Sequence, residues 1–205
     1  MLSSISPVGE ASRRQRWWVT ATAYTVASTI AGGLLGALAG AGGALLGIGA
    51  TAAWAVAMVI GALLVGAVVD AGWLPLPLPS WRRQVDERWL STYRGWVYGV
   101  GYGAQLGAAF ATIVPTAASY VMAVAAVLTG SWGAGATIGL VFGFVRALPL
   151  LLMAPVRSPA ALRGVHRRLE GAAPGVHRAT VAAQLSLAAV ASGVLIAGSR
   201  AEVGL

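Results

Sequence analysis

Five apolar runs, at residues 17–38, 50–69, 95–128, 133–154 and 179–197, constrain this chain more than anything else in it. A helix that crosses a bilayer needs ~20 mostly apolar residues, and each run supplies about that many or, at 95–128, well over that. Of the 205 residues 58% are hydrophobic and 10% charged, where a soluble domain carries ~25% charge. Water cannot be the main solvent for so much apolar surface. The chain reads as an all-α polytopic membrane helix bundle of about five transmembrane helices, the third long and broken at Pro115. One transmembrane domain, 17–198, is flanked by a cytoplasmic tail at 1–16 and a short external tail at 199–205.

The loops set a direction. All fourteen basic residues are arginine. Arg13, Arg14 and Arg16 precede the first run, "SWRRQVDERWLSTYR" carries Arg82, Arg83, Arg88 and Arg94, and "VRSPAALRGVHRRLEGAAPGVHR" carries five more. The alternate loops, "AGAGGALLGIG" and "LTGSWG", carry none. Basic and neutral loops that alternate place the N-terminus in the cytoplasm and the C-terminus outside a cell membrane. "ALA" at 37–39 has the look of a signal-peptidase site, but the run before it is longer than the 7–15 residues of a cleavable signal. Trp17, Trp18, Trp73, Trp81, Trp89, Trp96 and Trp132 fall at or near span ends, as an interfacial belt does.

Glycine recurs at every fourth position in three runs: Gly32, Gly36, Gly40; Gly95, Gly99, Gly103, Gly107; and Gly135, Gly139, Gly143. Such rows let helix backbones approach one another in lipid, where close packing replaces the expulsion of water. Rigid and mobile bundles both use them, and an outward-facing row would seat a membrane partner or a second copy. The third run is a separate problem. Residues 95–128 as straight helix would measure about 50 Å at ~1.5 Å per residue, against a ~30 Å hydrocarbon core. Pro115 breaks it, freeing the Ala111 carbonyl, and freed groups in lipid need a partner from protein or a wet cavity. On a continuous helix Gln105, Thr112, Thr116 and Ser119 share one sector of ~60°. A polar stripe at a discontinuity is where transporters bind solutes; a plain kink with threonines satisfying carbonyls uses the same residues.

Charge within the runs is confined to Arg146 and, at the inner end of the second, Asp70. Arginine near a span centre costs about 2.5–3.5 kcal/mol on insertion scales, so it needs a partner or an escape. Snorkelling to the cytoplasmic face provides the escape, and matching depth makes Asp70 a partner. Ser158 and Pro159 mark the start of a short surface helix with Leu162, Val165 and Leu169 on one side and arginines on the other. His166 and His177 sit among those arginines without carboxylate or thiol neighbours, so no metal site or cofactor is expected. No cysteine is present, which excludes thiol catalysis and thiolate metal sites in this chain. The net charge of +8 lies in loops between spans and does not indicate nucleic acid. No histidine lies within a span and only one carboxylate lies near one, a poor basis for an embedded enzyme.

The stretch from "GWVYGVGYGAQLGAAFATIVPTAASYV" to "GFVRALPLLL" resembles the second half of the transmembrane domain of the CcdA/DsbD cytochrome c biogenesis proteins. Gly99 to Gly107 match that family's Gly-rich approach, Thr112 to Pro115 its Cys-x-x-Pro break, Gly130-Ser131 its turn, and Leu148-Pro149 its Leu-Pro. "AYTVASTIAGGLLGALAGAGGALLG" is similar to the family's second span and "GALLVGAVVDAGWLPLPLPSWRRQ" to its third. The resemblance implies an inverted pair of three-helix units, here without a counterpart of the family's first span. Thr112 stands at the place of a redox cysteine, and a hydroxyl cannot enter a mixed disulfide. Three functions are left: a small-solute transporter or binder, a non-catalytic membrane subunit assisting a partner in thiol-redox or cytochrome c biogenesis, and, least supported, a membrane-embedded enzyme.

Overall fold

The computed structural model describes residues 5–48, 53–74, 88–108 and 116–202, and the regular structure among them is helical. In chain order, α1 is Pro7–Ser12, α2 Trp17–Leu45, α3 Ala53–Asp70, α4 Trp89–Thr92, α5 Gly95–Gly107, α6 Ala118–Leu128, α7 Trp132–Leu151 and α8 Pro159–Glu202. By length and composition α2, α3, α7 and α8 can each cross a bilayer, and α6 is a shorter apolar helix. The chain is a multi-pass membrane bundle. Its outer surface fits that solvent: α3 exposes Met58, Leu64 and Val65, and α8 exposes Leu187, Val190 and Val194.

The third run forms two helices, α5 and α6, with Thr112 and Pro115 among the intervening residues outside the described set. The first run continues as helix to Leu45, into the Gly-rich stretch "AGAGGALLGIG" that reads as a loop in the sequence. Glycine lowers helix propensity by about 1 kcal/mol, but Gly40 and Gly43 lie against the carbonyls of Ser131 and Val127, and that packing offsets the loss. The chain turns at Gly47, whose φ of +71° favours glycine. At the other end, the short surface helix and the fifth span are one helix, α8, running through Pro174. Its start is the expected one: Ser158 Oγ accepts the Ala161 amide at 3.2 Å. Pro174 sits on the exposed surface, where water can take up the carbonyl it frees.

The packing divides into two units: Met1–Leu35, Ser80–Ile113 and Gly139–Ala173 form one, and Gly36–Pro79, Val114–Ile138 and Pro174–Leu205 the other. In the first, α5 is pressed onto α2 along its glycine row. A Cβ on Gly99, Gly103 or Gly107 would collide with the carbonyl oxygen of Thr20, Tyr24 or Ser28, one turn apart on each helix. Gly32 and Gly143 bring α7 equally close to α2, and Ser28 Oγ donates to the Gly143 carbonyl at 2.8 Å. Ile5, Ala21, Tyr24, Tyr98, Tyr102, Ala147 and Leu150 fill the core beside this frame. In the second unit, α3 and α6 are neighbours. Gly135 there meets the Gly36 carbonyl.

Trp18, Trp73, Trp96 and Trp132 are exposed at or just beyond helix ends, as an interfacial belt requires. Trp17 and Trp89 do other work. The Trp17 indole donates to the Ile5 carbonyl at 3.2 Å, and Trp89 stacks on Tyr102 with ring centroids 6.0 Å apart.

Carbonyl oxygens at these glycines cannot move without shifting a helix. Gly103→Ala and Gly107→Ala are therefore expected to destabilise the protein by about 1–3 kcal/mol. Gly61→Ala, with nothing within 4 Å of its added Cβ, is expected to leave stability unchanged or raise it. Thermal unfolding of the three purified variants in detergent checks the difference.

Candidate functional site

In the first unit, α1 places a carboxylate where none was expected. Ser6 caps α1, its Oγ accepting the Gly9 amide at 3.2 Å, and Pro7 opens the helix. The helix closes with Arg14 in a left-handed conformation (φ 56°), the Gln15 amide returning to the Glu10 carbonyl at 2.8 Å. This short turn of chain drives Glu10 into the unit, where it is fully buried. Thr20 Oγ1 donates to its Oε2 at 2.7 Å, Tyr98 OH donates to Oε1, and Arg13 pairs with Oε1 at 2.7 Å. Burial works against the charge of Arg13, but the hydrogen bond and charge of Glu10, together with Tyr98, outweigh it and raise the Arg13 pKa above its ordinary value. Gln15 extends the cluster by accepting the Gly95 amide at 3.3 Å. Residues 1–16, read from sequence as a tail, thus hold a helix that ties α2 to α5. The Ser6-Pro7 pair carried the same start signal as Ser158-Pro159.

The second unit builds its polar centre around Asp70, the last residue of α3 and 9% exposed. Its Oδ1 accepts the Ala117 amide at 2.7 Å. Ala117 precedes the first residue of α6, so this amide has no carbonyl available one turn earlier in its own helix. A carboxylate there also meets the positive end of the helix dipole. Asp70 Oδ2 accepts the side-chain amide of Gln184 on α8 at 2.9 Å. Three helices, α3, α6 and α8, are joined through one carboxylate. Gln184 is 4% exposed, and Gly66 on α3 gives it room: a Cβ at Gly66 would lie 3.3 Å from Gln184 Nε2.

Of the residues singled out in the sequence, Asp70 builds this centre, and Thr116 and Ser119 flank Ala117 in the chain. Thr116 is half-buried at the residue before Ala117, and Ser119, at 2% exposure, lies in the first turn of α6. Gln105 is half-buried on α5 in the first unit. Arg146, also in the first unit, rests its guanidinium 5.5 Å from the centre of the Phe142 ring, with Nη1 unpaired among the described residues. Thr112 and Pro115 lie outside the described residues. Gln184 went unnoticed in the sequence, although an amide in the middle of the apolar run 179–197 was signal enough.

Removal of one member of a buried ionic cluster leaves the others unpaired. Glu10→Ala is expected to destabilise the protein by about 3–5 kcal/mol. Tyr98→Phe, which removes one donor and leaves the ion pair intact, should cost about 1–3 kcal/mol. Denaturation midpoints of the two variants, with the double variant showing less than additive loss, check that the groups act together.

Residues 3–182 match the family described as the cytochrome c biogenesis protein transmembrane region. Among curated proteins, the methylamine utilization protein MauF of Methylorubrum extorquens is 30% identical over 175 residues, covering 84% of this chain and 61% of that protein. MauF of Paracoccus denitrificans is 32% identical over 161 residues, covering 75% and 56%. The chain thus spans somewhat less than two thirds of the length of these relatives. No solved structure matches it. With most of its length matched by that transmembrane region and no cysteine in its sequence, the chain belongs to the cytochrome c biogenesis transmembrane-region family as a cysteine-less member.

Proposed function

We propose that this protein is a non-enzymatic membrane protein that binds and moves a small solute at the polar centre where α6 starts. The observation that carries the reading is Asp70, whose carboxylate holds the amide that starts α6 and the side chain of Gln184. A carboxylate buried at the end of a span is costly, and those that persist often line pathways or binding centres. Half-helices that end near mid-membrane provide such centres in transporters, because their free backbone groups and dipoles address a solute directly. The family's thiol relay has no thiol in this chain to run on, so architecture carries over without that chemistry. The basic loops support an orientation in a cell membrane with the N-terminus cytoplasmic and the C-terminus outside.

A second reading, a non-catalytic subunit that assists a membrane partner in redox or biogenesis, is supported by the absent cysteines. The relatives' name makes methylammonium the first probe to use. In proteoliposomes, the wild-type chain is expected to accumulate labelled methylammonium above empty vesicles, and Thr116→Val with Ser119→Ala to lower the rate at least tenfold at equal protein. Rates equal to empty vesicles, with a protein partner retained on purification in mild detergent, would support the subunit instead.

A background free of cysteine also makes the orientation directly measurable. Ser12 and Ser199 are exposed. In intact cells, Ser199→Cys is expected to react with an impermeant maleimide, and Ser12→Cys only after permeabilisation. Reaction of both from the same side would contradict the orientation.

A further inference from the structure

We infer that Asp70 and Gln184 form a binding site for a small monovalent cation of the sodium class. The inference deepens the transport reading, since it concerns the same polar centre, but its test measures cation binding and no solute movement.

Two unmet needs coincide there. The first is charge. Asp70 is nine-tenths buried, and the groups that touch its carboxylate, the Ala117 amide and the Gln184 side-chain amide, are neutral donors. Among the described residues the one ion pair is Arg13 with Glu10, in the other unit. The helices around Asp70 carry Tyr120 on α6, and His177, Arg178, Arg200 and Glu202 on the part of α8 that belongs to this unit. Neither His177 nor Arg178 is an ion-pair partner of Asp70 among the described residues. Hydrogen bonds from neutral donors spread a buried negative charge but do not cancel it.

The second need is an acceptor without a donor. Gln184 turns its Nε2 to Asp70 because a carboxylate only accepts. Its Oε1 is thereby held beside the centre, buried, with no hydrogen-bond partner among the described residues. A buried carbonyl oxygen left without a donor costs about 1–3 kcal/mol, which a structure seldom retains without reason. An oxygen with free lone pairs next to a carboxylate with no counter-charge is a donor set for a hard cation: oxygen ligands, one net negative charge, no nitrogen or sulfur. A single charge on the protein matches a monovalent ion and leaves a divalent one half uncompensated. A cation against Oε1 and the carboxylate answers both needs at once.

The test is thermal unfolding of the purified full chain in detergent at fixed pH and ionic strength, with sodium replacing choline over two decades of concentration. Wild type is expected to gain several degrees in a saturable manner, as mass action on a folded-state site requires. Asp70→Asn and Gln184→Leu are expected to lose that gain. Should Asp70→Asn fail to fold, Gln184→Leu keeps the carboxylate and decides alone. A parallel arm lowers pH in choline without sodium. Stabilisation by acid with no response to sodium would reassign the site to a proton and overturn the sodium assignment. An equal response of wild type and Gln184→Leu to sodium would overturn the site itself. A sodium response lost in the variants, in a protein that moves no methylammonium, would keep the site and remove only the transport reading.

Discussion

Lipid offers no hydrogen bonds, and that constraint orders this structure. Wherever a helix starts inside the bilayer its first amides face a solvent that cannot satisfy them. The start of α6 falls within one long apolar run, and its first amide has the same need of a partner. Asp70 reaches it from the end of α3, takes the Ala117 amide, and is itself steadied by Gln184 from α8. The interruption of the third crossing and the buried carboxylate are therefore two sides of one arrangement. Each would be unfavourable alone.

The frame of the first unit is made by close backbone approach, not by large side chains. In the first unit, α5 and α7 both lie on α2 with glycines against carbonyls. Rows spaced by four residues keep this contact in register for several turns, because four residues advance a helix by slightly more than one turn. The Glu10 cluster adds a polar clamp at the start of α2, where α1 folds back and Tyr98 meets it from α5. Packing of this kind resists small displacements, since a carbonyl oxygen in contact with a glycine has nowhere to go.

Much of this was legible in the sequence. Span length is fixed by bilayer thickness, so the apolar runs announced α2, α3, α7 and the membrane part of α8. The spacing of Gly99, Gly103 and Gly107 announced a contact row, and Pro115 announced two helices where the run was too long for one. Other features were hidden for physical reasons. The helical course of residues 40–45 depends on carbonyls of Val127 and Ser131 that are distant in sequence. Likewise the value of Glu10 is set by Thr20 and Tyr98, and that of Gln184 by Asp70, partners 88 and 114 residues away in the two longest cases. A lone glutamine in an apolar run shows that something must receive it, not what. The family resemblance located the break, yet the residue that answers the break lies in another span.

The absence of native cysteine provides a direct test of the central claim that α3, α6 and α8 meet at Asp70. Gly66→Cys and Gln184→Cys, introduced together and oxidised mildly in native membranes, place two thiols on helices that the structure holds in contact. The account predicts a disulfide that keeps the two halves of the chain joined after cleavage between them. It also predicts none for Leu64→Cys with Leu185→Cys, both exposed side chains on the same helices. Equal cross-linking of the two pairs, or none at Gly66 and Gln184 in a folded protein, would contradict it.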